Sequence, residues 1–355
     1  MRLKGFGTRR RSATPASPDG TSAVHSGEMA VRRWAAAAIA LLLVPLLAAC
    51  SPAVRTPSSA TSGPVHRAPT TTTQAPALSS LSHVFVVVME NLGASQALGT
   101  AQIAAVARRY AYTTAWYAAS HPSLPNYLAL ASGSTWGVTS DCTSCIQSGA
   151  DLGAQLSQAG VSWGAYFENM PSPCYLGPES PDGLYAQKHD PFAYFADIRS
   201  DPALCAHLQP FTALPPLLSG PATAVPRFVW VTPNLCDSGH DCSPSAAGAW
   251  LERFVSEVTA SSAWQHGGLL VVTWDEGGSD AAMDPQTGTI GSSGGGGTVL
   301  GIVAAPGAQA GGVLPGPYDH YSVLKTVEEA FGLPLLGAAA APAVAPLSAF
   351  LGSGG

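Results

Sequence analysis

Charge is what this sequence has least of. Charged residues make up 11% of its 355 positions, against roughly a quarter in an average soluble protein. Positive charge is scarcer still once the N-terminus is set aside. Seven of the 16 Lys and Arg, but two of the 22 Asp and Glu, precede Cys50, so the remainder carries nine bases against twenty acids, 9 − 20 = −11. A domain that acidic is excluded as a general binder of nucleic acid. If it handles phosphate, attraction has to come from something local, a metal ion or a few histidines. A run long enough to cross a bilayer is also missing: the apolar stretch Trp34–Leu47 falls short of the ~20 residues a span needs. No internal repeat occurs. Gly294–Gly297 is not followed by Lys-Ser/Thr, which argues against a phosphate loop and for a flexible connection between strands. Disorder is excluded too, because 46% of the residues are hydrophobic, ample for a core.

Gly (38) and Pro (30) are abundant, so much of the chain must be turn and loop. Arg32-Arg33, the apolar run and the ending Leu47-Ala48-Ala49-Cys50 read as a secretory signal peptide over 1–49, with Met29 as an alternative start. The LAAC ending resembles a bacterial lipobox, which makes Cys50 the lipidated first residue and a lipid anchor the only membrane attachment. Residues 51–80, rich in Pro, Ser, Thr and Ala, form a flexible tether. The expectation is therefore an exported protein, held at the cell surface or secreted. Six cysteines remain after Cys50, and an even number in an exported chain favours disulfides. Cys142–Cys145, Cys174–Cys205 and Cys236–Cys242 are the preferred pairs, although spacing alone leaves the pairing open.

Five β-branched runs, HVFVVVME from His83, then 161–166, 227–232, 268–274 and 298–304, alternate with helical stretches at 95–109, 124–131, 150–159, 245–260 and 320–331. That alternation predicts one α/β domain over 81–340, built on a mainly parallel sheet flanked by helices. The Ala/Pro/Gly-rich 341–355 reads as a surface tail.

In such sheets chemistry gathers beyond the carboxyl ends of strands. Glu90-Asn91 follows the first run, Asp237, His240 and Asp241 follow the third, and Asp275-Glu276 follows the fourth. Adjacent acids after a buried strand repel unless a proton or cation sits between them. Glu90, Asn91, Asp275 and Glu276 are hard oxygen ligands suited to Mg, Ca, Mn or, with nitrogen help, Zn. Ser123, in His121-Pro122-Ser123-Leu124-Pro125-Asn126-Tyr127, opens a helix whose dipole and free N–H groups favour an alkoxide or phosphoryl group. Its plainer role is an N-cap. Asn126 is placed to donate to phosphate oxygens.

Met89-Glu90-Asn91, the His121–Tyr127 segment, Pro233-Asn234 with His240-Asp241, Thr273–Glu276 and His320-Tyr321 with Leu324 and Glu328 occur in that order. Together they resemble the bacterial phosphoesterase family of acid phosphatase A and the phospholipases C. The likeness is strongest to the shorter secreted acid phosphatases of actinobacteria, one of which acts on phosphatidylinositol 3-phosphate. The resemblance implies an alkaline phosphatase-like α/β sandwich and a covalent phosphoseryl intermediate. It makes Ser123 the nucleophile and gives one divalent ion the ligands Glu90, Asn91, Ser123, Asp275 and Glu276. It implies catalytic roles for His121, His240 and His320, and substrate contacts for Asn126, His189, Asp237 and Asp241. Asp237 and Asp241 both remain open as the partner of His240.

The reading is a metal-assisted phosphomonoesterase acting on a phosphorylated small molecule or a phospholipid headgroup. A phospholipase C or phosphodiesterase on the same site is the first alternative. A surface lipoprotein without catalysis is the second.

Overall fold

His83–Met89 is apolar from Val84 onward and is buried on both faces, as a central strand covered by helices must be. In this computed structural model, which describes residues 78–308 and 310–351, it is β1 of an eight-stranded sheet. The expected signal peptide, Cys50 and nearly all of the tether lie outside the described residues. The other strands are β2 (Ala111–Tyr117), β3 (Trp163–Phe167), β4 (Leu208–Pro210), β5 (Phe228–Thr232), β6 (Gly268–Trp274), β7 (Ala282–Met283), β8 (Ile290–Gly291), β9 (Thr298–Ala304) and β10 (Tyr318–Asp319). Their order across the sheet is β10-β2-β9-β6-β1-β5-β3-β4. β9 runs antiparallel to both neighbours, and every other pairing in the sheet is parallel. β7 and β8 form a separate hairpin. The expected α/β architecture with a mostly parallel sheet is what the chain adopts.

All five anticipated runs are strands. β2, β4 and β10, and the β7–β8 hairpin, lie outside the expected runs. β2, AYTTAWY, alternates in burial and carries a register shift between Thr113 and Trp116, so its period is broken where it would have been read. Gly301 of β9 makes that pairing possible: a Cβ there would lie 2.0 Å from the Trp116 ring.

The helices also fall where the apolar periodicity put them. Ala94–Gly99 and Ala101–Arg109 replace one helix, and Leu152–Gln158, Pro244–Ala260 and His320–Phe331 match the expected stretches. Helix Ser123–Ser132 packs against helix His320–Phe331. All ten of its residues are buried, so its polar residues Ser123, Asn126 and Ser132 must find partners inside the protein.

Three expectations about chain ends and loops need correction. Residues 341–351 are not a surface tail. Val344, Leu347, Phe350 and Leu351 are buried, Phe350 packs on Tyr318 with centroids 5.2 Å apart, and Leu347 N–H donates to Thr326 Oγ1 at 2.8 Å. At the other end Leu78–Ser80 is a short helical turn with Leu78 in the core, so the last residues assigned to the tether belong to the fold. Of the Gly294–Gly297 run, Gly294 is exposed but Gly295, Gly296 and Gly297 are buried and packed rather than loose. Gly296 N–H donates to the Ala118 carbonyl at 3.0 Å and Ala118 N–H to Gly297 O at 2.9 Å. A Cβ at 296 would lie 2.1 Å from the Ser120 carbonyl, so a side chain is excluded against the segment that leads to Ser123. The three preferred cysteine pairs are the ones present.

Candidate active site

β1 and β6 are parallel neighbours, and Met89 stands opposite Trp274 at their carboxyl ends. The next residue of each strand is an acid, so Glu90 and Asp275 emerge side by side, both fully buried. Asp275 N–H donates to the Met89 carbonyl at 2.9 Å. Asn91 turns left-handed at φ 52°, and its N–H donates to Asp275 Oδ1 at 2.9 Å.

Ser123 begins its helix one position inside the N-cap, which is Pro122. The hydroxyl makes no cap; it donates to Glu90 Oε2 at 3.2 Å. The cap comes from Asp141, whose Oδ1 accepts from Leu124 N–H at 3.1 Å. One turn on, on the same helix face, Tyr127 O–H makes a short hydrogen bond to Glu90 Oε1. His189 stacks on Tyr127 with centroids 5.2 Å apart and brings Nε2 to 3.1 Å from Glu90 Oε2.

His240 completes the arrangement. Its Nδ1 lies 2.7 Å from Asp241 Oδ1, and the Lys188 ammonium donates to Nε2 at 3.1 Å. Since Lys188 only donates, Nε2 is the lone-pair nitrogen and Nδ1–H points to Asp241. Asp241 rather than Asp237 is therefore the partner of His240. Lys188 also donates to Asp141 Oδ2 at 3.0 Å.

These residues fit a cation. The ligand atoms of Glu90, His189 and His240 lie within 4.8 Å of one another. Asp275 Oδ2 and His189 Nε2 are buried without a hydrogen-bond partner. Burial pushes Glu90 up to about 7, against the pull of Tyr127, His240, Asp275 and Lys188. Burial, with Glu90 and Glu276 nearby, holds Asp275 well above the usual carboxylate range, and burial pushes His189 down to about 3. Two buried carboxyls and a neutral imidazole with an open nitrogen need one proton or one cation between them. A carboxylate and imidazole donor set suits Zn or Mn as well as harder ions.

Other residues take roles that differ from those expected. Glu276 does not join Glu90. Its Oε2 forms a short contact with His121 Nδ1, while His121 Nε2 lies 3.1 Å from the Ser279 carbonyl. Although partial burial lowers its affinity for a proton, the Glu276 hydrogen bond and charge raise it above the ordinary histidine value on balance. Asn91 is exposed and contributes its backbone N–H. Asn126 cannot serve phosphate because its amide is fully committed. Oδ1 accepts from Ala119 and Ser120 N–H at 2.9 and 3.0 Å, and Nδ2 donates to the Ser120 and Pro122 carbonyls at 2.8 and 3.1 Å. Asp237 is drawn to Asn234 Nδ2 at 3.3 Å and to the neighbourhood of Glu168. His320 is no proton donor to substrate. It is fully buried, its Nε2 donates to the Asp275 carbonyl at 2.6 Å, and its Nδ1 accepts from Trp116 Nε1 at 3.3 Å. Burial pushes it down to about 4. It orients Asp275.

Tyr127, Asp141 and Lys188 were not among the predicted site residues. Tyr127 lay within the motif, four residues after Ser123, and helical spacing would have found it. Asp141 sits on a loop and Lys188 in the single helical turn Gln187–His189, neither with a periodic signal.

Residues 87–334 match the phosphoesterase family. The phosphatidylinositol-3-phosphatase of Mycobacterium tuberculosis is 33% identical over 273 residues, 74% of this chain and 81% of that one. The phosphate-repressible acid phosphatase of Penicillium chrysogenum is 30% identical over 253 residues, 70% of this chain and 58% of the longer fungal enzyme. Among solved structures, a protein in the alkaline phosphatase superfamily from Vibrio parahaemolyticus is similar at a TM-score of 0.44 and 10% identity, covering 73% of this chain and 68% of that one. With a matched segment spanning most of the sequence and relatives at this identity, the chain belongs to the phosphoesterase family and is a hydrolase of phosphate esters.

Proposed function

We propose that this chain is an exported, metal-assisted phosphomonoesterase that works through a phosphoserine at Ser123. The observation that carries the proposal is the convergence on Glu90. The Ser123 hydroxyl donates to Oε2 and Tyr127 to Oε1, His189 Nε2 lies 3.1 Å from Oε2, and Asp275 emerges from the adjoining strand with Oδ2 unpartnered. A divalent ion held by Glu90, His189 and Asp275 would supply the positive charge that lowers the serine pKa and neutralises phosphate.

The protein's own groups then divide the work. Ser123 Oγ, its proton released to solvent with the help of the positive charge a bound ion would supply, attacks phosphorus in line. As the ester P–O bond breaks, the departing alkoxide takes the proton of His121 Nε2, which leaves the Ser279 carbonyl for it while Glu276 holds Nδ1 and keeps the ring protonated. Water then gives a proton to the now neutral His121 and attacks phosphorus, the P–O bond to Ser123 breaks, and the serine oxygen takes up a proton from solvent as inorganic phosphate leaves. Asn126 locks the segment before Ser123 with four hydrogen bonds and His320 aims Asp275. The phosphoinositide named for the mycobacterial relative favours a phospholipid headgroup as one substrate. Three disulfides favour an oxidising compartment.

Ser123→Ala tests the proposal. Turnover of p-nitrophenyl phosphate should fall by about a thousandfold or more. Stability should fall by no more than about 1 kcal/mol, one lost hydrogen bond, because the serine does not cap its helix. Acid quenching of the wild-type enzyme during turnover should trap one phosphoryl group on the peptide that contains Ser123. Normal turnover by the variant, or phosphate trapped on another residue, would sink the assignment.

A further inference from the structure

Four carboxylates, Glu90, Asp275, Glu276 and Asp141, surround the place where a phosphate must arrive. Lys188 is the cation whose charge is felt by Glu90 and Glu276. Among the described residues no other lysine or arginine makes a hydrogen bond or ion pair with these four. Arg199 donates to the Ala193 carbonyl, Arg227 to the Ser82 carbonyl, and Lys325 to the Val344 carbonyl. In a chain this poor in positive charge, one lysine beside four acids is not surface decoration.

Its partners carry the argument further. Asp141 Oδ2 at 3.0 Å and His240 Nε2 at 3.1 Å are a carboxylate oxygen and a lone-pair imidazole nitrogen, the donor pair a second metal ion would use. The ammonium stands between them in place of such an ion. Asp141 is itself fixed, with its other oxygen on Leu124 N–H at the start of the Ser123 helix. The Cys142–Cys145 disulfide follows it directly. Asp241 holds His240 from behind. Two of the three N–H donors of the ammonium are thus aimed, and the side chain is 20% exposed, which leaves the third open to an incoming group.

We propose that Lys188 is the built-in second cation of this site and binds a non-bridging oxygen of the substrate phosphate. Being a point charge, it selects dianionic monoesters over monoanionic diesters. The inference rests on the phosphomonoesterase reading and names the feature that sets its substrate class. A monoester brings two negative charges into a pocket of carboxylates and needs two positive centres, one from the metal and one from Lys188. A diester brings one charge and is served by the metal alone.

The test uses Lys188→Met, which keeps the apolar stem, ends one atom short of the ammonium and removes the charge. Two readouts are taken on the metal-loaded, full-length protein. The first is kcat/KM on p-nitrophenyl phosphate and on bis(p-nitrophenyl) phosphate. The second is binding of inorganic phosphate by calorimetry, which needs no turnover. Loss of a charge-assisted contact should weaken phosphate binding and monoester kcat/KM by about 10- to 100-fold and leave diester kcat/KM within about threefold. An equal fall on both esters, or unchanged phosphate binding, overturns the proposal. Should the Met variant melt early, Lys188→Gln retains a donor to Asp141 without the charge and must show the same shift in selectivity. If the wild-type chain hydrolyses neither ester, the phosphomonoesterase reading falls, while phosphate binding still decides the role of Lys188.

Discussion

Glu90 is buried and touched by a serine, a tyrosine and a histidine, so its proton affinity is set by how many of those contacts survive. Burial raises its pKa and the Tyr127 hydrogen bond is the largest influence lowering it. Tyr127→Phe removes that donor and leaves Oε1 without a partner. The carboxylate becomes harder to ionise, and a carboxylate must be ionised to hold a metal. The variant should need about tenfold more divalent ion for half-maximal activity, with a smaller loss at saturating ion, and should be destabilised by roughly 1–3 kcal/mol. Activity titrated with the ion after chelation, beside a thermal melt, checks both. An unchanged ion requirement would mean that Glu90 does not meet the metal. Glu90, Asp275 and Ser123 were legible in the sequence because strand ends and helix starts advertise themselves. The pairings His121–Glu276 and Lys188–His240 were not, since they join segments 155 and 52 residues apart whose paths no local pattern encodes.

At the scale of elements, the segment from β2 to the Ser123 helix is the part the chemistry depends on. It is held by a side chain that sequence reading had assigned to substrate. Asn126 makes two donor and two acceptor bonds to Ala119, Ser120 and Pro122. Asn126→Asp keeps the shape, keeps the acceptors and turns both donors into an oxygen facing two carbonyls. That should cost about 3 kcal/mol and lower the melting temperature by about 6 °C or more in a domain of this size. Because the loop positions Ser123, kcat should fall more than KM rises. A variant that melts lower yet keeps wild-type kcat would separate the loop from the reaction. The same segment shows why β2 escaped notice while β1, β3, β5, β6 and β9 did not. Buried central strands are continuous apolar runs, whereas β2 carries Thr113, Thr114 and a register shift. The Ala/Pro composition of 341–351 hid a packed segment for a similar reason: its burial comes from contact with helix His320–Phe331 and with Tyr318, not from any period of its own.

For the molecule as a whole, several acids outside the catalytic cluster are held above their ordinary values. Burial pushes Asp151 up to about 7, Asp319 to about 6 and Glu328 to about 8. For an acid raised in the folded state, the native protein keeps a proton that the unfolded chain has released. Stability from these groups is therefore whole below the unfolded values of 3.8 and 4.5 and is lost as pH rises through the native ones. His320 acts in the opposite sense. Burial pushes it down to about 4 from 6.5, so acidification below 6.5 costs stability as the unfolded chain takes up a proton the native one refuses. Three acids outweigh one histidine, so the melting temperature, measured in chelator at constant ionic strength, should decline steadily from about pH 5 to 8. Glu328 gives the sharpest check. Its Oε1 accepts from Leu336 N–H at 2.8 Å and its Oε2 is buried without a partner. Glu328→Gln keeps the acceptor and removes the titration. At pH 5 the variant should melt close to wild type. By pH 8 it should melt several degrees higher, because the wild-type chain must then ionise that buried carboxyl or hold its proton against the solvent. Parallel decline of variant and wild type across the whole range would show that Glu328 ionises without cost in the fold.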